Sequence, residues 1–291
     1  MKSFWNSQFL AQLKRHKISG SRMRIGHHKG SRMATFQGSS LEFSDYQMYE
    51  IGDDVRQIDW NVYARTEKVY IKRYLDEREL KVHIFLDCTN SMLSGDEKWK
   101  RARELAGAIA FLALSNDDRL TLHCIGVQKT FTKKGARDAK GILFDIQELS
   151  PKREVLDNTL FFDEMAKGDR TKSGVSFIIS DGLEPISVIE DALRRRSIKK
   201  EMTYFIQLLD EEEVAPAYKG DVKLIDSENH QEVNVSLNRQ LVGKYQERLL
   251  EHNKQIESLC RKWGFGYLRT NSLPPLNEVF FKEFKENGWI R

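Results

Sequence analysis

The 291-residue chain is 40% hydrophobic and 31% charged, a balance that excludes a disordered protein and leaves room for one large domain or two modest ones. Its three cysteines, Cys88, Cys124 and Cys260, are odd in number, far apart and without a CxxC, which excludes a disulfide framework and a zinc site and predicts reduced thiols in the cytoplasm. The net charge of +4 is uneven: residues 1–41 carry eight Lys or Arg and no acid, so the rest of the chain is net acidic.

The basic start, with no signal-peptide cleavage site and no apolar run near the roughly 20 residues of a membrane span, predicts a cytoplasmic protein. Residues 1–15 predict a short amphipathic helix with Phe4, Phe9, Leu10 and Leu13 on one face. Residues 1–32 as a whole read as a solvated basic arm, separate from the core and dispensable for folding; His27 and His28 within it read as loop residues.

Residues 33–80 predict short β segments and turns. "YEIGDDVRQIDW" holds a Gly-Asp-Asp turn and "KVYIKRYLDEREL" begins as a strand. Asp53, Arg56, Asp59 and Arg65 are expected to form ion-pair and turn contacts, with Trp60 as a buried anchor. From residue 81 strands alternate with helices. "VHIFL", "RLTLHCIGV", "GVSFIIS", "MTYFIQLLD" and "FGYLRT" read as strands. Helices are expected over 96–115, 137–149, 154–167, "PISVIEDALRRR", 238–263 and "PLNEVFFKEF", and "DVKLIDSENHQEVNVSL" reads as a hairpin. Arg194, Arg195 and Arg196 read as a solvated run facing the helix dipole. Tyr245, Cys260 and Trp263 read as core, as do His83 and His123 within their strands. The alternation predicts an α/β, doubly wound, mainly parallel sheet over residues 81–291.

Ligands in such sheets collect at the carboxyl ends of the strands. Asp87 closes "HIFL", Asp181 closes "SFIIS", and Thr89 and Ser91 follow Asp87 in one loop. Carboxylates with neutral hydroxyls form an oxygen shell suited to a hard ion such as Mg2+. The same residue types also cap helices and form turns, so the pattern admits either use. A phosphatase- or hydrolase-like enzyme using Asp87 is the enzymatic alternative, but a second acid two residues on is replaced by Thr89. No nucleotide-binding or zinc-protease motif occurs in the chain.

"FLDCTNSM" followed by "FIISDG" resembles the von Willebrand factor A-like domain and its metal-ion-dependent adhesion site. The preceding stretch, with Glu42-Phe43, Gly52-Asp53-Asp54, Arg56, Ile58-Asp59-Trp60 and Ala64-Arg65, is similar to a bacterial family of unknown function associated with MoxR-type AAA+ ATPases. The resemblance implies a Rossmann-like fold, with Asp87, Thr89 and Ser91 as the first metal loop, Asp181 as the third, and Mg2+ as the ion. The second loop departs from the pattern: in "SPKREVLDNTL" neither Glu154 nor Thr159 falls into the expected place. It also implies a non-enzymatic, Mg2+-dependent protein-binding adaptor that works with the ATPase on an unidentified client in protein maturation or remodelling. Binding of an anionic surface through the basic arm is a further alternative; nucleic acid and peripheral membrane contact are not expected.

Overall fold

The computed structural model describes residues 4–20, 42–75, 79–93, 95–149, 160–168, 174–199, 201–216, 220–225 and 232–291. The chain forms two compact units, residues 22–79 and residues 1–21 together with 80–291. In chain order, helix α1 (Ser7–Leu13) opens the larger unit. The smaller unit holds β1 (Glu42–Met48), α2 (Trp60–Thr66) and β2 (Tyr70–Leu75), with β1 and β2 paired antiparallel. The larger unit continues with β3 (Lys81–Asp87), α3 (Asp96–Ser115), β4 (Arg119–Ile125), β5 (Lys129–Lys134), α4 (Ala139–Gln147), α5 (Phe161–Gly168), β6 (Val175–Ser180) and α6 (Ile186–Ser197). It ends with β7 (Met202–Leu208), α7 (Glu211–Val214), β8 (Gly220–Ile225), β9 (Glu232–Leu237), α8 (Arg239–Lys262), β10 (Gly266–Thr270) and α9 (Leu276–Glu278), which runs into a π-helical turn at Val279–Phe284.

The six-stranded sheet runs β10-β7-β6-β3-β4-β5. The first five are parallel and β5 is an antiparallel edge. In order of appearance this is the doubly wound 3-2-1-4-5-6 arrangement, whose crevice opens between its first and fourth strands, here β3 and β6. β3 and β6 are buried on both faces, as expected of apolar strands covered by helices on each side. Val82, Ile84 and Leu86 enter the core under α1, α3 and α4, whereas Phe85 enters the opposite core with α5, α6 and α8. The lysine-rich, polar β5 was not expected from sequence; its charges suit an edge that must not recruit another strand. The predicted hairpin is β8-β9. The helix expected at 154–167 is described only from Phe161, and Glu154 and Thr159 lie outside the described residues.

Four expectations are corrected. The described part of residues 1–32, residues 4–20, is not a detached arm: Trp5, Phe9, Leu13 and Ile18 are buried, and Trp5 Nε1 donates to the Glu104 carbonyl at 3.0 Å. A Cβ on Gly107 would stand 2.1 Å from the Trp5 ring, so only glycine lets α3 accept that side chain. Ile18 bridges Ile290, with Lys17 and Arg291 exchanging backbone hydrogen bonds on one side and the Ser19 amide donating to the Trp289 carbonyl on the other. Residues 21–41, including His27 and His28, lie outside the described set.

Trp60 is not a buried anchor; it is 63% exposed. Asp59 explains why: it serves as N-cap of α2, accepting from Asn61 and Val62, which fixes a short helix with no buried residue. Arg56 pairs with Asp54 at 2.8 Å, Asp53 accepts from the Glu50 amide, and Arg65 donates to the Asn61 carbonyl, so these groups order local turns.

The arginine run is not uniformly solvated either. Arg196 is buried, pairs with Glu201 at 2.9 Å, donates to Ser176 and lies 4.4 Å over the Phe85 ring. On α8, Cys260 is core and Trp263 packs against it, whereas Tyr245 is exposed. Among the described residues no helix is long and apolar enough to cross a membrane.

Candidate functional site

The crevice between β3 and β6 is built by strand parity. Asp87 continues the Phe85 face of β3, and Ser180 continues the Ile178 face of β6, so the two side chains meet at the carboxyl ends. Ser180 Oγ donates to Asp87 Oδ2 at 2.6 Å, while the other carboxylate oxygen accepts from Thr89 Oγ1 at 2.6 Å and from the Thr89 amide at 3.0 Å. Thr89 Oγ1 and Ser91 Oγ are 3.2 Å apart. Gly126 holds the first loop from behind: its φ is +107°, and a Cβ there would stand 2.6 Å from the Cys88 carbonyl oxygen. The structure thus brings Asp87, Thr89, Ser91 and Asp181 into one cluster.

Four groups not singled out from sequence complete it: Lys98, Ser180, Glu184 and Glu213. Lys98, in the first turn of α3, is fully buried. Its Nζ donates to Asp181 Oδ2 at 3.0 Å, to Glu213 Oε1 at 2.6 Å and to the Ser91 carbonyl at 3.1 Å. Glu213 reaches inward because α7 is held by a capping box, in which its Oε2 accepts the Asp210 amide at 2.7 Å. Glu184 accepts from the Phe161 and Phe162 amides at the start of α5. A sequence signal existed for Lys98, which is in phase with the buried stripe Ala102, Leu105 and Ile109. Another existed for Glu213, because Asp210 and Glu213 have capping-box spacing.

The electrostatics follow from crowding of like charge. Burial, then the nearby Asp181 charge, raise the Asp87 carboxyl to about 7, although the Ser180 and Thr89 hydrogen bonds pull the other way. Burial, then the Asp87 charge, raise Glu184 to about 8 against its two backbone donors. Burial would lower the Lys98 ammonium, but the charges of Asp181 and Glu213 outweigh it and the pKa is raised.

The four expected ligands do not fit a Mg2+ shell in this arrangement. Mg2+ requires a near-octahedral set of oxygens at about 2.0–2.1 Å. Asp181 is already bound to an ammonium, and Asp87 turns both oxygens to hydroxyl donors. A dication there would have to displace the Lys98 ammonium, which already sits against Asp181 and Glu213.

The sequence profile of the family described as protein of unknown function DUF58 matches residues 45–255, and the chain belongs to this family. Uncharacterized proteins of Mycobacterium tuberculosis and Mycobacterium bovis are each 28% identical over 243 residues, which is 81% of this chain and 76% of theirs. Among solved structures, BatB from Bacteroides thetaiotaomicron is 13% identical with a TM-score of 0.45, covering 72% of this chain and 98% of its own. The SpRpn10 VWA domain is 14% identical with a TM-score of 0.38, covering 71% of this chain and 95% of its own. The α/β fold with a mostly parallel six-stranded sheet stands on the strand order itself.

Proposed function

We propose that this family member is a non-enzymatic protein-binding adaptor that works with a MoxR-type AAA+ ATPase in the maturation or remodelling of other proteins. The observation that carries the reading is the exposed face of the smaller unit. Tyr46, Met48, Trp60 and Tyr63 are each 43% exposed or more. The Trp60 and Tyr63 rings meet edge-on at 6.1 Å, and Tyr46 donates to Asp59 beside Trp60 at 2.9 Å. Rigid, amphipathic aromatics of this kind concentrate at the energetic centres of protein interfaces.

The reading is non-enzymatic because Asp87, the candidate nucleophile, is 2% exposed and spends both oxygens on internal donors. A nucleophile must instead approach its substrate within about 3–3.5 Å. The test is capture of the MoxR-type ATPase of the same cell by the full chain and by its Trp60→Ala variant. Capture should fall at least about tenfold in the variant, roughly 1.4 kcal/mol, with the melting transition unmoved. Equal capture by both proteins, or none by either, overturns the reading.

A further inference from the structure

We infer that Lys98 is the built-in cation of the strand-end site, standing where a divalent ion would otherwise link the loop after β3 to the loop after β6. The inference concerns the chemistry of the crevice and does not depend on which protein the chain binds.

The placement follows from the helix. Side chains in a helix tilt toward its amino end, so a lysine in the first turn of α3 points back to the loop that precedes it. That loop carries Ser91, and the ammonium reaches its carbonyl at 3.1 Å while also reaching Asp181 across the crevice at 3.0 Å. A lysine ammonium has three hydrogens to donate. Here three oxygens receive them, from the first loop, the third loop and α7.

The third oxygen matters most. An adhesion-type metal site leaves one position open for a carboxylate from outside; here Glu213 of the same chain meets the cation at 2.6 Å. Glu213 is fixed in place: its second oxygen closes the capping box, and the Tyr245 hydroxyl donates to its carbonyl at 2.6 Å. Gln246 holds the next carbonyl, that of Val214, at 3.3 Å. The start of α3 accommodates α7 closely, because a Cβ on Gly95 would lie 2.7 Å from Asp210 Oδ2. Cation and closing carboxylate therefore both come from within, and the crevice keeps its loops together without a metal.

The experiment is a titration of Mg2+ and of Mn2+ into the full chain, followed by calorimetry, by the Mn2+ paramagnetic resonance signal and by the melting temperature with and without EDTA. Wild type should bind no stoichiometric ion at millimolar concentration and should melt alike in Mg2+ and in EDTA. Lys98→Ala leaves the carboxylates without their counter-charge, so it should bind Mn2+ at least about tenfold more tightly than wild type and should melt higher in Mg2+ than in EDTA. Stoichiometric submillimolar binding by wild type overturns the inference, as does a folded Lys98→Ala protein with no gain in metal affinity. A Lys98→Ala chain that folds only when Mn2+ is present supports it. If that variant folds under neither condition, the wild-type titration decides alone.

Discussion

At the amino end of β6, one guanidinium faces one carboxylate, Arg196 and Glu201, with side-chain exposures of 3% and 0%. At its carboxyl end, one ammonium, Lys98, stands among Asp87, Asp181, Glu184 and Glu213. About five residues of strand, roughly 16 Å, separate the two. The first cluster is charge-balanced and sealed, resting on the Phe85 ring and bonded to Ser176. The second carries more acid than base, and two of its carboxyls hold their protons far above the ordinary range. The first cluster should therefore answer to loss of either partner, and the second to pH.

The contrast can be broken by substitution. Arg196→Ala or Glu201→Ala leaves an uncompensated buried charge and should cost about 3–5 kcal/mol in denaturant melts. Replacing both by Met and Leu should restore most of that loss. If the single variants melt like wild type, the amino-end pair is not structural.

The acid-rich end should instead appear in the pH dependence of stability. Between an unfolded value of 3.8 and a folded value of about 7, the native state keeps an Asp87 proton that the unfolded chain has released. Stability contributed there is therefore lost as pH rises, at about 1.4 kcal/mol per pH unit at the steepest. Glu184 extends the same slope from 4.5 towards about 8. Asp87→Asn should flatten the lower part of the curve, whereas the paired Arg196 and Glu201 substitution should leave it. A wild-type curve that rises across this window would contradict the crowding of acids described here.

Smaller effects sharpen the picture. Glu213→Gln keeps a capping acceptor but removes a charge from Lys98, and chemical denaturation should register a loss of about 1–2 kcal/mol. Trp60 in the smaller unit is largely exposed, so the cost of Trp60→Ala should stay below about 1 kcal/mol. A larger loss would place that ring in a packed environment.

Much of the fold is legible in the sequence because its signals agree. Helix α3 spans Asp96–Ser115 as expected, with Asp96 and Glu97 in its first turn and an unbroken apolar stripe behind them. The pairing of Asp87 with the Ser180–Asp181 strand end is legible too, since acids that end buried strands must meet at the switch point. What escaped was charge on a buried face. Lys98 falls in the stripe phase of α3, and Arg196 falls in that of Ile189, Ala192 and Leu193 on α6. Composition alone assigns both to solvent, while helical phase assigns both to the interior. The opposite misreading befell Trp60, where ring size suggested burial but the capped, two-turn α2 has no buried face to offer. The apolar face of residues 1–15 with Phe9 and Leu13 is legible, but the burial of Trp5 on α3 is masked by the basic residues that follow.

The bridge between Ile18 and Ile290 cannot form until residue 290 has been synthesised. A ribosome that adds roughly 5–20 residues per second would expose Phe9 on the order of tens of seconds before Phe280, whose ring meets it edge-on at 5.9 Å, exists to cover it. During that interval Trp5 has α3 to dock on, whereas the Phe9 face stays uncovered. Holdase capture of nascent chains should therefore fall when Phe9 is made polar, even though the folded chain buries that ring.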